Sequence, residues 1–325
     1  MKNREFLYQS GEPVEPERVR EFEAKERLDL MERFKKDPEM EGVLGRVKFD
    51  VLRSIFARYA KKVGIAETDL NILNADYIHS GTLIGEYQVG ENLIALSSKG
   101  IEKGYAGFAG FRLDLAILKM LTHEETHAVS GARILGYHEY QKEQRKEDYH
   151  VEKQSGYQRF FAKGKWKELP SKSQRLFSNF NEGIVEKLSQ EVFLQYLEED
   201  TDFAGKKDGE IFIQQLKENP AFLSYEKEVA LVDALVLRLA KEIEVPKEII
   251  WRSFVRGLFE AERFEDEEMH KAFSEMFSED FVKRLSTFSS NEEYRQLLDE
   301  IKAGPIAKVP KIFSSKISEE SSKKH

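Results

Sequence analysis

The sequence predicts an α+β fold, a small mixed sheet set among helices, and three observations carry that expectation. Apolar residues recur at helical spacing over long stretches before residue 69 and after residue 171. Between them, residues 69–97 are rich in Ile, Leu, Tyr and Val, are broken by Gly and Asn, and keep little helical period. The helical period returns at 111–131, in the stretch that contains His123-Glu124-Glu125-Thr126-His127.

Along the chain, the first dozen residues are expected to be loose. Residues 15–36 are charge-dense, with Val19, Phe22, Leu28, Leu30, Met31 and Phe34 spaced for a surface-packed helix. Asp37-Pro38 interrupts it. Val43, Leu44, Val47, Val51, Leu52, Ile55, Phe56 and Tyr59 then form one wide apolar stripe, which predicts a single helix ending near Gly64. From Asp69 two or three strands are expected, with Gly90-Glu91-Asn92 turning one hairpin. Residues 100–110 read as a glycine-rich connection.

Leu113, Leu115, Ile117, Leu118 and Leu121 then build the apolar part of the HEETH helix. Residues 137–152 read as a charged excursion, and 154–169 as a hairpin with Phe160 and Phe161 before an Ala-Lys-Gly-Lys turn and Trp166 after it. Helices are expected from Ser171 to about Lys302, separated near 201–208, at Asn219-Pro220 and at Val245-Pro246. The Ser/Lys-rich tail from Gly304 reads as disordered. No internal repeat is evident.

Composition narrows the chemistry. The chain of 325 residues is 40% apolar, enough to bury a sizeable core. Its net charge of -8 argues against nucleic acid as the main partner, because phosphate binding needs a clustered positive surface. Cysteine is absent, which excludes disulfides, thiolate zinc sites and cysteine nucleophiles. A zinc site must therefore be built from His, Asp, Glu and water. The first residues lack the apolar core of a secretory signal, and no run approaches the roughly 20 apolar residues of a membrane helix. The expectation is a cytoplasmic protein with neither nucleic acid nor membrane as partner.

On a helix, residues four apart lie on one face, so His123 and His127 present two imidazoles to one point. Glu124 is rotated by about 100° from His123. It is therefore placed to reach a water on the metal and take its proton, not to ligate. A catalytic zinc needs a third protein ligand and one open position. Glu182 and Glu186, four apart in NEGIVEKLSQEVFLQYL, share one helix face. Glu182 is placed to be that ligand and Glu186 to hydrogen-bond a ligating histidine. Taken alone, Glu182 reads more simply as a first-turn acid that favours the helix dipole, and Glu186 as a solvated charge; the pairing with HEETH reverses that preference.

HEETHAVSG followed by NEGIVEKLS resembles the gluzincin metallopeptidases, over roughly residues 70 to 200. The resemblance implies a zincin-like fold and a zinc-dependent peptidase acting on peptide or protein substrates. It assigns His123, His127 and Glu182 as zinc ligands, Glu124 as general base and Glu186 as the supporting acid. It also implies an edge strand above the motif helix that binds substrate backbone as an added strand, and residues 74–97 stand in the matching place. The expected organisation is an N-terminal helical region (1–68), a catalytic core (69–200), a C-terminal helical region (201–303) and the tail (304–325). The sequence departs from the compact members, since Glu182 lies 55 residues beyond His127. Residues 137–169 would then be an insertion over the cleft. Ala128, Val129 and Ser130 follow His127, so the HExxHxxGxxH continuation of the metzincins is not matched.

Peptide hydrolysis develops an oxyanion that needs a donor besides the metal. Tyr157, His150 and Tyr225 are candidates by position, and Tyr225, early in the helix after Pro220, is taken as the catalytic donor. Three rival readings stand beside this one. A carboxylate-bridged di-metal bundle would use Glu-x-x-His pairs at Glu124–His127, Glu147–His150 and Glu267–His270. A zincin scaffold could bind partners without activity, although Glu124 is intact. A regulatory factor could dock a partner on Trp251, Phe254, Leu258 and Phe259, a stripe that reads more simply as core.

Overall fold

The computed structural model describes residues 4–8, 28, 32–81, 84–88, 92–105, 110–141, 146–165, 172–218, 225–261, 273, 275–278 and 280–303. It is a mixed α+β structure with two small sheets. Among these residues no helix is long and apolar enough to cross a membrane. The expected helix at 15–36, the turn residues Gly90 and Glu91, Trp166, and the tail from Gly304 fall almost wholly outside the described residues.

The chain opens on a strand, β1 (Arg4–Tyr8), where loose chain was expected. It pairs in parallel with β5, so its backbone groups are satisfied by a partner more than a hundred residues away, which no local pattern signals. The apolar stripe at 43–59 forms two helices, not one: α1 (Pro38–Leu44) and α2 (Phe49–Lys62). Asp37 caps α1 by accepting from the Met40 N–H, with Pro38 in the first turn. α2 stops before Gly64, whose φ of 80° suits a residue without a Cβ.

The strand-rich segment forms β2 (Ile78–Ser80), β3 (Gly85–Gln88) and β4 (Leu93–Leu96) in the order β2-β4-β3, with β3 on the edge. β3 and β4 are the expected hairpin, and Asn92 takes up the left-handed backbone of its turn. Part of the expected glycine-rich connection is instead a short helix, α3 (Ser98–Gly104), capped by Ser97. α4 (Leu113–Val129) follows and carries HEETH. Met120 aside, every residue from Leu115 to Val129 is buried, so this helix runs through the core.

Residues 132–176 are the largest departure from expectation. β5 (Ala132–Gln141), β6 (Lys146–Ser155), β7 (Gln158–Lys165) and β8 (Lys172–Leu176) form a continuous antiparallel meander, which β1 extends to five strands. The charged excursion is the β5–β6 hairpin. The tight turn falls at Gly156 and Tyr157, while residues 162–165 lie within β7. Gly156 has φ of 55° and packs so closely on Asn181 and Leu258 that a Cβ there would stand 2.6 and 2.5 Å from their side-chain atoms.

Helices resume at Ser178, after β8, and not at Ser171. They are α5 (Ser178–Glu199), α6 (Lys206–Glu218), α7 (Glu226–Ile243), α8 (Lys247–Glu260), α9 (Phe281–Thr287) and α10 (Asn291–Ala303). The breaks expected near 201–208 and at Val245-Pro246 are present. Phe254, Leu258 and Phe259 are buried, so the α8 stripe is core and offers no docking face.

Candidate metal centre

α4 and α5 pack against each other and bring the two halves of the site together. The Nε2 atoms of His123 and His127 each lie 3.3 Å from Oε2 of Glu182. Donor atoms bound at 2.0–2.1 Å to one tetrahedral ion stand about 3.3–3.4 Å apart, so these two distances suit donors shared by a single small cation. All three ligand atoms lie within 4.8 Å of one another, and this is the only such group among the described residues.

On the far side of the first imidazole, Nδ1 of His123 lies 2.9 Å from Oε2 of Glu186. An ionised carboxylate can only accept, so Nδ1 carries a proton, and Nε2 is the nitrogen turned toward Glu182 and available to a metal once its own proton is lost. Glu186 is itself held by Nζ of Lys119 at 2.9 Å and by the side-chain amide of Gln190 at 2.8 Å. Lys119 also donates to Ser189. Glu182 thus stands at the two Nε2 atoms and Glu186 at Nδ1 of His123. Sequence reading missed Lys119, although a lone lysine one turn before His123 in an otherwise apolar helix was the available signal.

Glu124 faces the cleft. Its carboxylate accepts from the Tyr87 backbone N–H on β3, and Gly85 of the same strand lies against it. A Cβ at Gly85 would stand 2.7 Å from Oε1 of Glu124 and 2.7 Å from Cγ of Met120. The edge strand can lie this close to the helix only because residue 85 has no side chain. β3 is held from behind by a buried knot. Asn71 donates to the Tyr87 hydroxyl, to Asn92 and to the Ala128 carbonyl at 3.2, 2.7 and 3.1 Å.

Gly183, between the two acids of α5, answers a different need. A Cβ there would stand 2.5 Å from the Glu228 carbonyl, so glycine lets α7 pack directly on α5. That brings Tyr225, the residue preceding α7, onto the site, where its ring stacks on His123 with centroids 5.4 Å apart and planes 5° apart. Tyr157 is placed elsewhere: it is buried and its hydroxyl donates to the Phe254 carbonyl. His150 lies on β6 opposite Tyr137 and Lys163, and its side chain lies outside the described residues.

The electrostatics are those of a buried cluster of mutually paired charges. Burial disfavours a charged His123, yet Glu182 and Glu186 outweigh it and push its pKa up to about 10. Burial likewise opposes ionised Glu182 and Glu186. The facing imidazoles hold Glu182 well below the usual carboxylate range, and Lys119 with His123 holds Glu186 at about 2. Burial pushes Glu124 the other way, up, against the pull of His123 and His127. Burial and the nearby carboxylates keep the Tyr225 phenol protonated and able to donate. Glu125 is fully buried, accepts from the Leu73 N–H, and is pushed up to about 8 by burial.

His123, Glu124, His127, Glu182 and Tyr225 line a cleft of about 620 Å³ between the β3 edge, α4, the start of α5 and one wall of the five-stranded sheet. The di-metal bundle loses one of its Glu-x-x-His pairs here. Glu147 and His150 lie on strand β6, where residues three apart do not share a face, and Glu267–His270 lies outside the described residues. Compared with known protein families, curated proteins and solved structures, the chain matches none.

Proposed function

We propose that the protein is a zinc-dependent metallohydrolase of gluzincin type, a peptidase with a zincin-like core. The observation that carries this reading is the Glu182 carboxylate standing 3.3 Å from both imidazole Nε2 atoms, with Glu124 beside them on the open cleft. His123, His127 and Glu182 would hold the ion. A bound zinc supplies Lewis acidity toward a water and a substrate carbonyl. Glu124 takes the attacking water's proton at its carboxylate and delivers it to the leaving amine, a role suited to an acid whose proton affinity burial raises.

Glu186 fixes the ring of His123 and keeps its proton on Nδ1. Tyr225, held protonated beside the cluster, donates to the oxygen on which charge develops. The Gly85–Gln88 edge strand aligns the substrate backbone as an added strand. Three protein ligands with cleft on the remaining side favour a catalytic over a structural site, which would be closed by a fourth.

The test is zinc content and peptide turnover of Glu124→Gln. That variant is expected to bind about one zinc per chain while turnover falls by roughly 10²–10⁴-fold. Undiminished turnover would sink the mechanism.

A further inference from the structure

We propose that the sheet wall of the cleft is a carboxylate subsite centred on Arg175, so that the preferred peptide carries an anionic group on that side. This rests on the peptidase reading of the same cleft. Arg175 is the only lysine or arginine among the described residues that line it, where three acids, Glu86, Glu124 and Glu182, also stand. Arg46, Arg112 and Arg284 each pair with a carboxylate. Arg175 has no acidic partner among the described residues, in a chain with more acids than bases.

The position of Arg175 is built. On β8 it lies directly opposite Phe160 of β7, and its guanidinium sits 5.8 Å from that ring, which also lines the cleft. The guanidinium lies over the ring at the outer range of a cation–π contact, and its N–H groups, exposed, are open to a bidentate carboxylate. Phe177, in left-handed backbone with φ of 56°, then turns the chain straight from β8 into α5. The first turn of α5 has no acidic residue and no side-chain cap, so its positive end adds to the potential beside Arg175.

The same wall carries an unspent polar atom. Ser155 shares the face of the sheet that carries Phe160 and Arg175, lines the cleft, and its Oγ is buried without a hydrogen-bond partner. A buried polar atom left unpaired costs stability, so this hydroxyl favours a polar ligand on that wall. An extended peptide between β3 and this wall brings its own N–H and C=O groups toward Ser155 and its carboxylate to Arg175. The carboxylate can come from an Asp or Glu side chain or from a free C-terminus.

The experiment uses the full chain loaded with zinc and two degenerate peptide mixtures, one with free and one with amidated C-termini, with cleavage sites read by mass spectrometry. The expected result is enrichment of Asp and Glu at one fixed position in both mixtures, or cleavage at a fixed distance from the free C-terminus in the first alone. Arg175→Gln is expected to reduce that preference by roughly tenfold to a hundredfold, the weight of a charge-assisted contact. Arg175→Glu is expected to turn it toward Lys and Arg. Cleavage without anionic preference, or a preference that survives Arg175→Gln, overturns the subsite. If the wild-type protein cleaves no more than Glu124→Gln does, the peptidase reading fails instead. Equilibrium dialysis of the same mixtures against zinc-loaded Glu124→Gln then decides the subsite by itself. Retention of anionic peptides that Arg175→Gln abolishes supports it, and equal retention overturns it.

Discussion

Glu186 touches His123 at Nδ1, 2.9 Å away, while the same oxygen stands 2.9 Å from the ammonium of Lys119. The two side chains come from helices α4 and α5, which are joined in sequence only through a four-strand meander. The contact sets the tautomer of one candidate ligand, and it does so with a carboxylate kept ionised by a buried lysine.

Glu186→Gln is therefore expected to weaken zinc binding by roughly 10–100-fold, the usual cost of losing an orienting partner. The substitution strands the Lys119 charge, so it is best made together with Lys119→Met, which removes that charge without emptying the space. Glu182→Ala, which deletes a ligand, is expected to cost more than either. Competition with a chelator of known affinity measures all three. A Glu182→Ala protein that binds zinc like the wild type would show that the third ligand is another residue.

Gly85→Ala tests the approach of the edge strand to the base. The new methyl would stand 2.7 Å from Oε1 of Glu124, so either the carboxylate or the strand must move. Turnover is expected to fall roughly 10–100-fold, the scale at which a misplacement of about 1 Å is felt. Zinc content should stay at the wild-type level, because the side chains that the new methyl meets first are Glu124 and Met120 and not the three proposed ligands. Loss of zinc in parallel with turnover would contradict this account of Gly85.

The metal-free protein should lose stability on the alkaline side. Folding raises the His123 pKa from 6.5 to about 10. Its contribution is fully present below the unfolded value and is lost as pH rises through the folded one. The thermal midpoint of the metal-free chain is thus expected to decline between about pH 6.5 and 10. A bound cation replaces that proton, so saturation with zinc should flatten the decline. Thermal unfolding of both forms across this window measures the difference. Parallel curves would mean that His123 does not exchange its proton for a metal.

The relation of His123, His127 and Glu124 was determined by the sequence alone, because 3.6 residues per turn places side chains on a helix whatever the rest of the chain does. The same local reasoning located the β3–β4 hairpin, and the spacing of Glu182 and Glu186 put both on one face. The absence of cysteine already restricted a metal to His and carboxylate donors. What only the tertiary structure decided is everything that needs two distant segments to meet. Glu182 reaches the imidazoles across 55 residues, Tyr225 stacks on His123, and Lys119 finds Glu186. The meander at 132–176, read as a charged excursion and a hairpin, belongs to the same class. A strand's partners lie on another strand, so its register and even its existence depend on pairing that no window of sequence contains. Gly85 and Gly183 show the limit most sharply: each is only a glycine in the sequence, and only the packing reveals that one makes room for the base and the other for α7.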